Sequence, residues 1–247
     1  MSDSTPRLPA SVAIVMPAYN EEASVAQAVR ESLRILSQSV LDYEVIVVDD
    51  ASTDGTAAIV SALAIEDDHV RLLEAGRNIG ANAAALLGMR AARCDVSFFI
   101  ASDLQIHPDQ LLSCLPLLDV ADYVCTWRRP RSDPWHRRWM ARVYNVVVRL
   151  IVGLPAHDVD SGILVRKEVI AAVASQLRCS SDFLPVELLA RAMSHGYRVR
   201  EVTIVHRPRS AGKPGSIVPL SVLRTLGDLA RSLPALRRLR RDRPATR

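Results

Sequence analysis

The segment that decides the fold lies near the middle of the chain and reads Phe98-Phe99-Ile100-Ala101-Ser102-Asp103-Leu104-Gln105. Its apolar run stops at a polar turn, a pattern typical of a buried strand that carries an acid at its carboxyl end. In an open α/β sheet, ligands bind at that end of the strands. Asp103 is therefore a candidate ligand for a divalent cation. The alternative is that Asp103 is the N-cap of a helix that begins near Pro108.

Strands and helices alternate along the first half of the chain. The predicted strands cover residues 11–16, 43–48, 70–73, 97–100 and 122–126. This alternation predicts an α/β fold with a Rossmann-like, mostly parallel, doubly wound sheet. Acids follow three of the first four strands, namely Glu21, Asp49 with Asp50, and Asp103. Several acids on one rim repel each other unless a cation or a donor-rich ligand binds there, so this rim is the predicted site.

Two basic segments follow later strands. Residues 127–138 contain arginines, two tryptophans and two prolines, which predicts a long loop suited to phosphate recognition or a moving lid. A solvated arginine face is the alternative for this segment. Residues 140–152 predict a helix with a broad apolar face. Residues 206–216 predict a second basic loop, which either closes over a diphosphate or links the body to the tail.

The composition predicts a cytoplasmic protein with three parts. Of the 247 residues 49% are hydrophobic, and no apolar run approaches the roughly 18 residues of a membrane span. The four scattered cysteines indicate buried thiols in a reducing compartment. Residues 1–10 are predicted to be flexible, residues 11–216 to form the folded body, and residues 217–247 to form a basic amphipathic tail with eight arginines. The tail either contacts the inner face of an anionic membrane peripherally or packs on the body.

Six short motifs together resemble family 2 glycosyltransferases with a GT-A fold. The similarity is greatest to dolichol-phosphate mannose synthases and bacterial polyprenyl-phosphate glycosyltransferases. The motifs are Val15-Met16-Pro17-Ala18-Tyr19-Asn20-Glu21-Glu22, Val47-Val48-Asp49-Asp50-Ala51-Ser52-Thr53-Asp54-Gly55-Thr56, Asn78-Ile79-Gly80, Asp103-Leu104-Gln105, Asp160-Ser161-Gly162, and Arg209 with Gly212. Each motif alone is weak, whereas their order and spacing over residues 11–216 are specific.

The resemblance implies an inverting transfer of a hexose or related sugar from a nucleotide-sugar donor, with Mg²⁺ or Mn²⁺ as cofactor. The implied donor-binding residues are Pro17, Tyr19, Glu21, Asp49, Asp50, Asp103, Gln105 and Lys213, with Asp49 or Asp50 accepting a hydrogen bond from the base. Asp103 and Gln105 are the implied metal ligands, Arg128 and Arg209 would neutralise phosphates, and Asp158 and Glu187 lie on the acceptor side.

Two positions depart from the family pattern. Ala101 stands where this branch often has a first acid, so metal binding depends on Asp103, Gln105, the diphosphate and water. The closing loop continues after Gly212 as Lys213-Pro214-Gly215-Ser216, in place of Gly-x-Ser-Lys. Any lysine contact must therefore come from Lys213 in a shifted position.

The acceptor and the reaction class leave alternatives open. A polyprenyl phosphate acceptor is already anionic, whereas a soluble hydroxyl acceptor needs a base such as Asp158, Asp160 or Glu187. Nucleotidyltransferases and Rossmann dehydrogenases carry a glycine-rich loop after the first strand, where this chain has Pro17-Ala18-Tyr19-Asn20. A non-catalytic nucleotide- or membrane-binding relative is compatible with Ala101. The acidic rim argues against nucleic acid as a partner.

Overall fold

The computed structural model describes residues 11–130, 135–179, 183–208, 227 and 231–240. Its strands are β1 Ser11–Ala18, β2 Asp42–Asp49, β3 Val70–Glu74, β4 Val96–Phe99, β5 Tyr123–Arg128, β6 Ile163–Arg166 and β7 Val199–Ile204. Its helices are α1 Val25–Ser39, α2 Thr56–Glu66, α3 Ala81–Ala91, α4 Leu111–Cys114, α5 Trp135–Val152, α6 Lys167–Val173 and α7 Leu184–Ser194. Residues 231–240 add a further helical segment.

The strands form one sheet in the order β3-β2-β1-β4-β6-β5-β7. Strand β6 runs antiparallel to its neighbours β4 and β5, and the other pairs are parallel. The carboxyl ends of six strands and the amino end of β6 therefore lie along one edge, here called the carboxyl edge. The predicted mostly parallel, doubly wound α/β sheet is confirmed.

Helices cover both faces of the sheet, which explains why the central strands are apolar throughout. Strand β1 is buried at all eight positions. One core packs α1 and α2 on the sheet, and the other packs α3, α5, α6 and α7 on the opposite face. Gly88 of α3 allows the closest approach, since a Cβ there would lie 2.4 Å from a Val15 methyl and 2.9 Å from a Val48 methyl.

The first strand is longer than predicted, because it does not end before Pro17. Strand β1 continues through Pro17, opposite Val48 of β2, to Ala18. On the other side, the ladder with β4 stops at Val15 opposite Phe99. Pro17 lies beyond that point, where a missing N–H costs no ladder hydrogen bond.

Two predicted segments differ in extent from the structure. The helix predicted to begin near Pro108 is broken into a 3₁₀ turn, the short α4 and a second 3₁₀ turn that contains Pro116. The predicted loop over residues 127–138 is shorter, because β5 continues through Arg128 and α5 begins at Trp135. The tryptophan and arginines at 135–138 thus belong to a helix.

The described part of the tail packs on the body. Within residues 231–240, Leu236 is buried in the core that contains α7, and Arg240 Nη1 donates to the Leu150 carbonyl at 3.1 Å. Residues 1–10, Arg209, Gly212 and Lys213 lie outside the described residues, so the predictions for them are untested. Among the helices described, none has both the length and the apolar character needed to cross a bilayer.

All four cysteines are unpaired and buried, as predicted. Burial raises the pKa of Cys114 to about 12, and burial together with the nearby Glu44 carboxylate raises the pKa of Cys94 to about 12. Such thiols stay protonated at neutral pH and are poor nucleophiles.

Candidate active site

Hydrogen bonds join the loops that follow β1 and β2 into one surface. The Asn20 N–H donates to Ser52 Oγ at 3.0 Å, and the Thr53 N–H donates to Asn20 Oδ1 at 2.8 Å. The Glu21 N–H donates to Thr56 Oγ1 at 2.9 Å. The two motifs predicted to contact a nucleoside are therefore held together, with Tyr19 half-exposed beside them.

Backbone strain concentrates at the carboxyl edge. The described residues include three non-glycine residues with positive φ: Asn20 at 55°, Ala51 at 62° and Leu104 at 61°. They lie in the loops after β1, β2 and β4, respectively. Each such conformation costs on the order of 1–3 kcal/mol, and such residues cluster at functional sites.

The neighbouring acids Asp49 and Asp50 have different surroundings. Asp50 accepts from the N–H groups of Ile79 and Gly80 at 2.7 and 2.8 Å, so both oxygens fix the start of α3. Asp49 is buried, and its Oδ2 accepts from the Ser52 N–H at 3.2 Å. Its Oδ1 is buried and has no hydrogen-bond partner among the described residues. A buried acceptor without a partner is costly, which points to a donor supplied by a ligand.

Asp103 lies in a tight turn directly after β4. Its Oδ1 accepts from the Gln105 N–H at 3.0 Å, and Ser102 Oγ donates to the Pro17 carbonyl at 3.1 Å. The alternative prediction that Asp103 caps the next helix is wrong, because His107 is the N-cap residue of the turn that begins at Pro108. Asp103 instead lies in the turn after β4, at the carboxyl edge.

The oxygen donors of this turn fit a hard cation. Asp103 offers a carboxylate and Gln105 an amide oxygen, the ligand types that Mg²⁺ and Mn²⁺ take together with phosphate and water. Ala101 is exposed and adds no ligand. Within the described ranges, no cluster of three or more His, Cys, Asp or Glu side chains could hold a metal ion. A bound cation would therefore depend on the ligand for much of its coordination.

Strand β7 ends against the same turn. The Arg207 N–H donates to the Gln105 carbonyl at 2.8 Å, and the preceding His206 is buried. The sequence pattern alone gives no reason to connect Arg207 with Gln105, since about a hundred residues separate them.

Arg128, which is partly buried, and the buried Asp158 form an ion pair. Arg128 Nε and Nη2 lie 2.7 and 2.9 Å from the two Asp158 oxygens, and Nη2 also donates to the Asp160 carbonyl at 2.6 Å. Nearby, Thr126 Oγ1 lies 2.7 Å from Ser161 Oγ and donates to the Gly162 carbonyl. These contacts fasten the end of β5 to the segment that enters β6. Both predicted catalytic residues thus hold one another in place.

A cavity of about 770 Å³ opens between α5 and the segment that enters β6. It is lined by four arginines, namely Arg129, Arg138, Arg142 and Arg149, and by three tryptophans, namely Trp127, Trp135 and Trp139. Asp158 also lines it and is neutralised by Arg128. The excess of guanidinium groups makes this cavity suitable for an anion such as a phosphate.

His157 and Glu201 form a second pair at this cavity. His157 Nδ1 lies 2.6 Å from Glu201 Oε2, and the His157 N–H also donates to Glu201. The imidazole stacks on Trp127 with ring centroids 4.5 Å apart and planes 16° apart. The sequence gives no signal for this pair, because the two residues are 44 positions apart and lie in no shared motif.

Both carboxylate oxygens of Glu187 accept hydrogen bonds. Its Oε2 accepts from the N–H groups of Arg178 and Cys179, each at 2.9 Å, and its Oε1 accepts from Arg191 at 2.7 Å. Burial raises the pKa of Glu187, but these hydrogen bonds outweigh it and hold the pKa below its ordinary value. A carboxylate of this kind is a weak base. Its predicted catalytic role has no support in these contacts.

The structure thus gathers most of the predicted residues at one edge. Pro17, Tyr19, Glu21 and Asp49 lie around the joined loops after β1 and β2, and Asp103 with Gln105 follows β4. Arg128 and Asp158 lie beside the arginine-lined cavity. The roles of these residues stay predictions.

Comparisons with known proteins show which sequences and folds this chain is similar to. The model of the family described as "Glycosyl transferase family 2" matches residues 13–172. An undecaprenyl-phosphate 4-deoxy-4-formamido-L-arabinose transferase of Proteus mirabilis is 30% identical over 205 residues, covering 81% of this chain and 61% of the relative. A protein of the same name from Pseudomonas fluorescens strain SBW25 is 31% identical, covering 82% of this chain and 59% of the relative. The chain spans about three fifths of the length of these curated relatives.

Solved structures show the same fold. Glucosyl-3-phosphoglycerate synthase from Mycobacterium tuberculosis, in complex with Mn²⁺, UDP and glucosyl-3-phosphoglycerate, matches with a TM-score of 0.64 and 20% identity. The match covers 96% of this chain and 81% of that chain. The same enzyme with Mg²⁺ and UDP gives a TM-score of 0.63 at 18% identity. The predicted GT-A fold is confirmed.

Proposed function

This chain belongs to glycosyl transferase family 2, and from that membership we propose that it transfers a sugar from a nucleoside-diphosphate donor to a polyprenyl phosphate. The observation that carries the acceptor assignment is the cavity lined by four arginines beside the carboxyl edge. The names of the curated relatives, which specify undecaprenyl phosphate, support the same acceptor class.

The donor base binds between the loops after β1 and β2. Asp49 Oδ1, buried and without a partner in the described structure, accepts from a ring N–H of the base. Uracil, thymine and guanine carry such an N–H on their pairing edge, whereas adenine and cytosine present a ring acceptor there. Pro17, Tyr19 and Glu21 form the wall of this site, and Asp50 acts indirectly by holding Ile79 and Gly80.

The donor diphosphate lies at the turn after β4. Asp103 and Gln105 would hold Mg²⁺ or Mn²⁺, which when bound neutralises charge on the leaving nucleoside diphosphate. Ser102 and the Gln105 N–H fix the shape of this turn, so that the Asp103 carboxylate is preorganised. Arg209 and Lys213, outside the described residues, remain predicted phosphate contacts.

The acceptor phosphate enters the arginine-lined cavity. Its oxygen is already anionic at neutral pH, so it attacks the anomeric carbon without losing a proton to the protein. The bond from that carbon to the donor phosphate breaks as the new bond forms, which inverts the configuration. Asp158 and Arg128 then serve as positioning residues, since their charges are satisfied by each other.

A hydroxyl acceptor is the second candidate, and the pair of His157 and Glu201 favours it. Glu201 orients the imidazole within the cavity, an arrangement in which a histidine can take a proton from an alcohol. In that case Glu201→Gln should lower kcat strongly. With a polyprenyl phosphate acceptor, the same substitution should leave kcat within a few-fold of the wild-type value.

The cavity arginines give a direct test of the acceptor. The variant Arg142→Gln should raise KM for a short-chain polyprenyl phosphate by at least about tenfold, because one charge-assisted hydrogen bond is lost. KM for the nucleotide sugar should stay unchanged. Arg30→Gln, an exposed arginine on α1, is the matched control. Equal KM values for the acceptor in Arg142→Gln and Arg30→Gln would contradict the cavity as the acceptor site.

A further inference from the structure

Helix α5 turns an apolar stripe toward solvent. The large apolar side chains exposed on it are Trp135, Trp139, Met140, Val143, Val146, Val147 and Leu150. Trp135 is 74% and Leu150 is 72% exposed. These seven are half of the large hydrophobic residues found exposed across the described residues. Contiguous apolar surface of this kind marks a contact with a partner or a membrane.

The three faces of α5 have distinct chemistry. Asn145, Val148 and Val152 are buried against the body. At about 100° per residue, the exposed apolar side chains span roughly 140° of the circumference on the outer side. Arg138, Arg142 and Arg149 occupy a strip between the two and line the cavity. The helix therefore carries an apolar stripe with a basic flank, the pattern of a helix that lies in a membrane interface.

The charge of α5 decides between possible occupants of the stripe. Residues 135–152 contain no aspartate or glutamate. A second copy packed around a two-fold axis would bring basic flanks together without an acid on α5 to neutralise them. An anionic bilayer instead complements the arginines, and its acyl boundary accepts the tryptophans and leucine.

We propose that the outward face of α5 is the surface by which this protein lies on an anionic membrane. The apolar stripe enters the headgroup–acyl boundary, and the arginine flank contacts lipid phosphates. The cavity then opens at the level of the headgroups, so that a lipid phosphate reaches it without leaving the bilayer. This last point rests on the proposed function, whereas the membrane contact of α5 does not.

The position of the tail supports this assignment to α5. Arg240 donates to the Leu150 carbonyl, near the carboxyl-terminal end of α5, and Leu236 is buried in the body. A cation at that end of a helix is favourable because of the helix dipole. The described part of the tail thus holds α5 in place and leaves the apolar stripe exposed.

Vesicle binding by the full chain tests the proposal. The probes are vesicles of phosphatidylcholine alone and vesicles in which about a third of the lipid is anionic phosphatidylglycerol. The test variant is Met140→Asp with Leu150→Asp, two stripe residues that do not line the cavity. The control is Leu41→Asp with Ile65→Asp, at positions 97% and 87% exposed elsewhere on the body. Thermal unfolding verifies that both variants fold.

We expect wild type and control to bind the anionic vesicles, and brominated acyl chains to quench their tryptophan fluorescence. The test variant should bind at least about tenfold more weakly, since two inserted apolar groups become carboxylates facing anionic lipid. Equal binding by test and control variants, or no binding by wild type, would overturn the proposal. A wild-type dimer that the test variant converts to a monomer would also overturn it.

Turnover with a short-chain, water-soluble polyprenyl phosphate separates this proposal from the proposed function. The test variant should transfer sugar to the soluble acceptor at the wild-type rate, and lose turnover with a long-chain polyprenyl phosphate embedded in vesicles. If wild type lacks turnover with the soluble acceptor, the proposed function fails while vesicle binding still reports on α5.

Discussion

At the level of single residues, Asp49 and Asp50 differ through their tertiary partners. The sequence predicts that one of the two accepts from a base and offers no basis for choosing. The N–H groups of Ile79 and Gly80 occupy Asp50, and the buried Oδ1 of Asp49 is left without a partner in the described structure. The distinction depends on residues 29 and 30 positions away, which no local motif contains.

Asp49→Asn should weaken nucleotide binding by at least about tenfold, because an amide donor or a weaker acceptor then faces the base N–H. The melting temperature without ligand should change little. Asp50→Asn should instead lower the free energy of unfolding by about 1–3 kcal/mol, because one backbone donor loses its acceptor. Calorimetric titration with UDP, dTDP and GDP, combined with thermal unfolding, checks both. If Asp50→Asn instead weakened nucleotide binding and Asp49→Asn lowered the free energy of unfolding, the roles proposed for the two acids would be wrong.

Asp103→Ala should reduce kcat by on the order of a hundredfold or more, since it removes the carboxylate beside the leaving group. It should also abolish the metal-dependent part of the thermal shift produced by nucleotide. The control is Asp68→Ala, which removes an exposed acid just before β3, away from the turn that carries Asp103. Retained activity of Asp103→Ala at saturating metal would contradict the assignment of Asp103 as a metal ligand.

At the level of elements, α3 depends on Gly88. Replacing a helical glycine by alanine normally gains up to about 1 kcal/mol of helix propensity. Here the added methyl would meet Val15 and Val48 at 2.4 and 2.9 Å, and such overpacking costs about 1–3 kcal/mol or more. Gly88→Ala should therefore lower the free energy of unfolding, as measured by urea denaturation. The exposed Arg90→Ala on the same helix should stay within about 0.5 kcal/mol of wild type, and a stabilised Gly88→Ala would refute the packing argument.

The amino-terminal end of α7 gives a pH-dependent prediction. Hydrogen bonds hold the pKa of Glu187 in the fold below its ordinary value of 4.5. Its contribution to stability is therefore complete above about pH 5 and is lost as pH falls through the folded-state pKa. Glu187→Gln should lower the free energy of unfolding at pH 7 by about 3–5 kcal/mol, because Arg191 loses its buried partner.

Below pH 5 the wild type should lose stability more steeply than Glu187→Gln, by at most about 1.4 kcal/mol per pH unit. Denaturation across this pH range measures the difference. Glu66→Gln, an exposed glutamate at the end of α2, serves as the control. If the free energy of unfolding changed with pH in parallel for wild type and Glu187→Gln, the low pKa of Glu187 would be contradicted.

Some of the elements could be predicted from local sequence patterns and others could not. Strands that end in acids are local patterns, so the turn at Asp103 and the loop after Asp49 could be predicted. The helix start at Trp135 and the continuation of β1 through Pro17 could not, because they depend on neighbouring strands and packing. The apolar face predicted for residues 140–152 exists, but much of it faces outward.

At the level of the whole molecule, the predicted alternation of strands and helices is confirmed. The antiparallel insertion of β6 between β4 and β5 lies beyond a local pattern, because it follows from long-range pairing. That insertion brings Asp158 and Gly162 to the carboxyl edge beside Thr126 and Arg128. The proposed acceptor side therefore depends on the topology of the sheet, whereas the proposed donor side follows from local motifs.

Mass spectrometry of the lipid product tests the proposed sugar transfer most directly. The wild-type chain is incubated with a polyprenyl phosphate, a panel of UDP-, dTDP- and GDP-sugars, and Mg²⁺ or Mn²⁺. We expect a metal-dependent glycosyl polyprenyl phosphate with one of these donors, and an equal amount of released nucleoside diphosphate. Transfer to a soluble hydroxyl acceptor alone, or no lipid-linked product with any donor, would contradict this proposal.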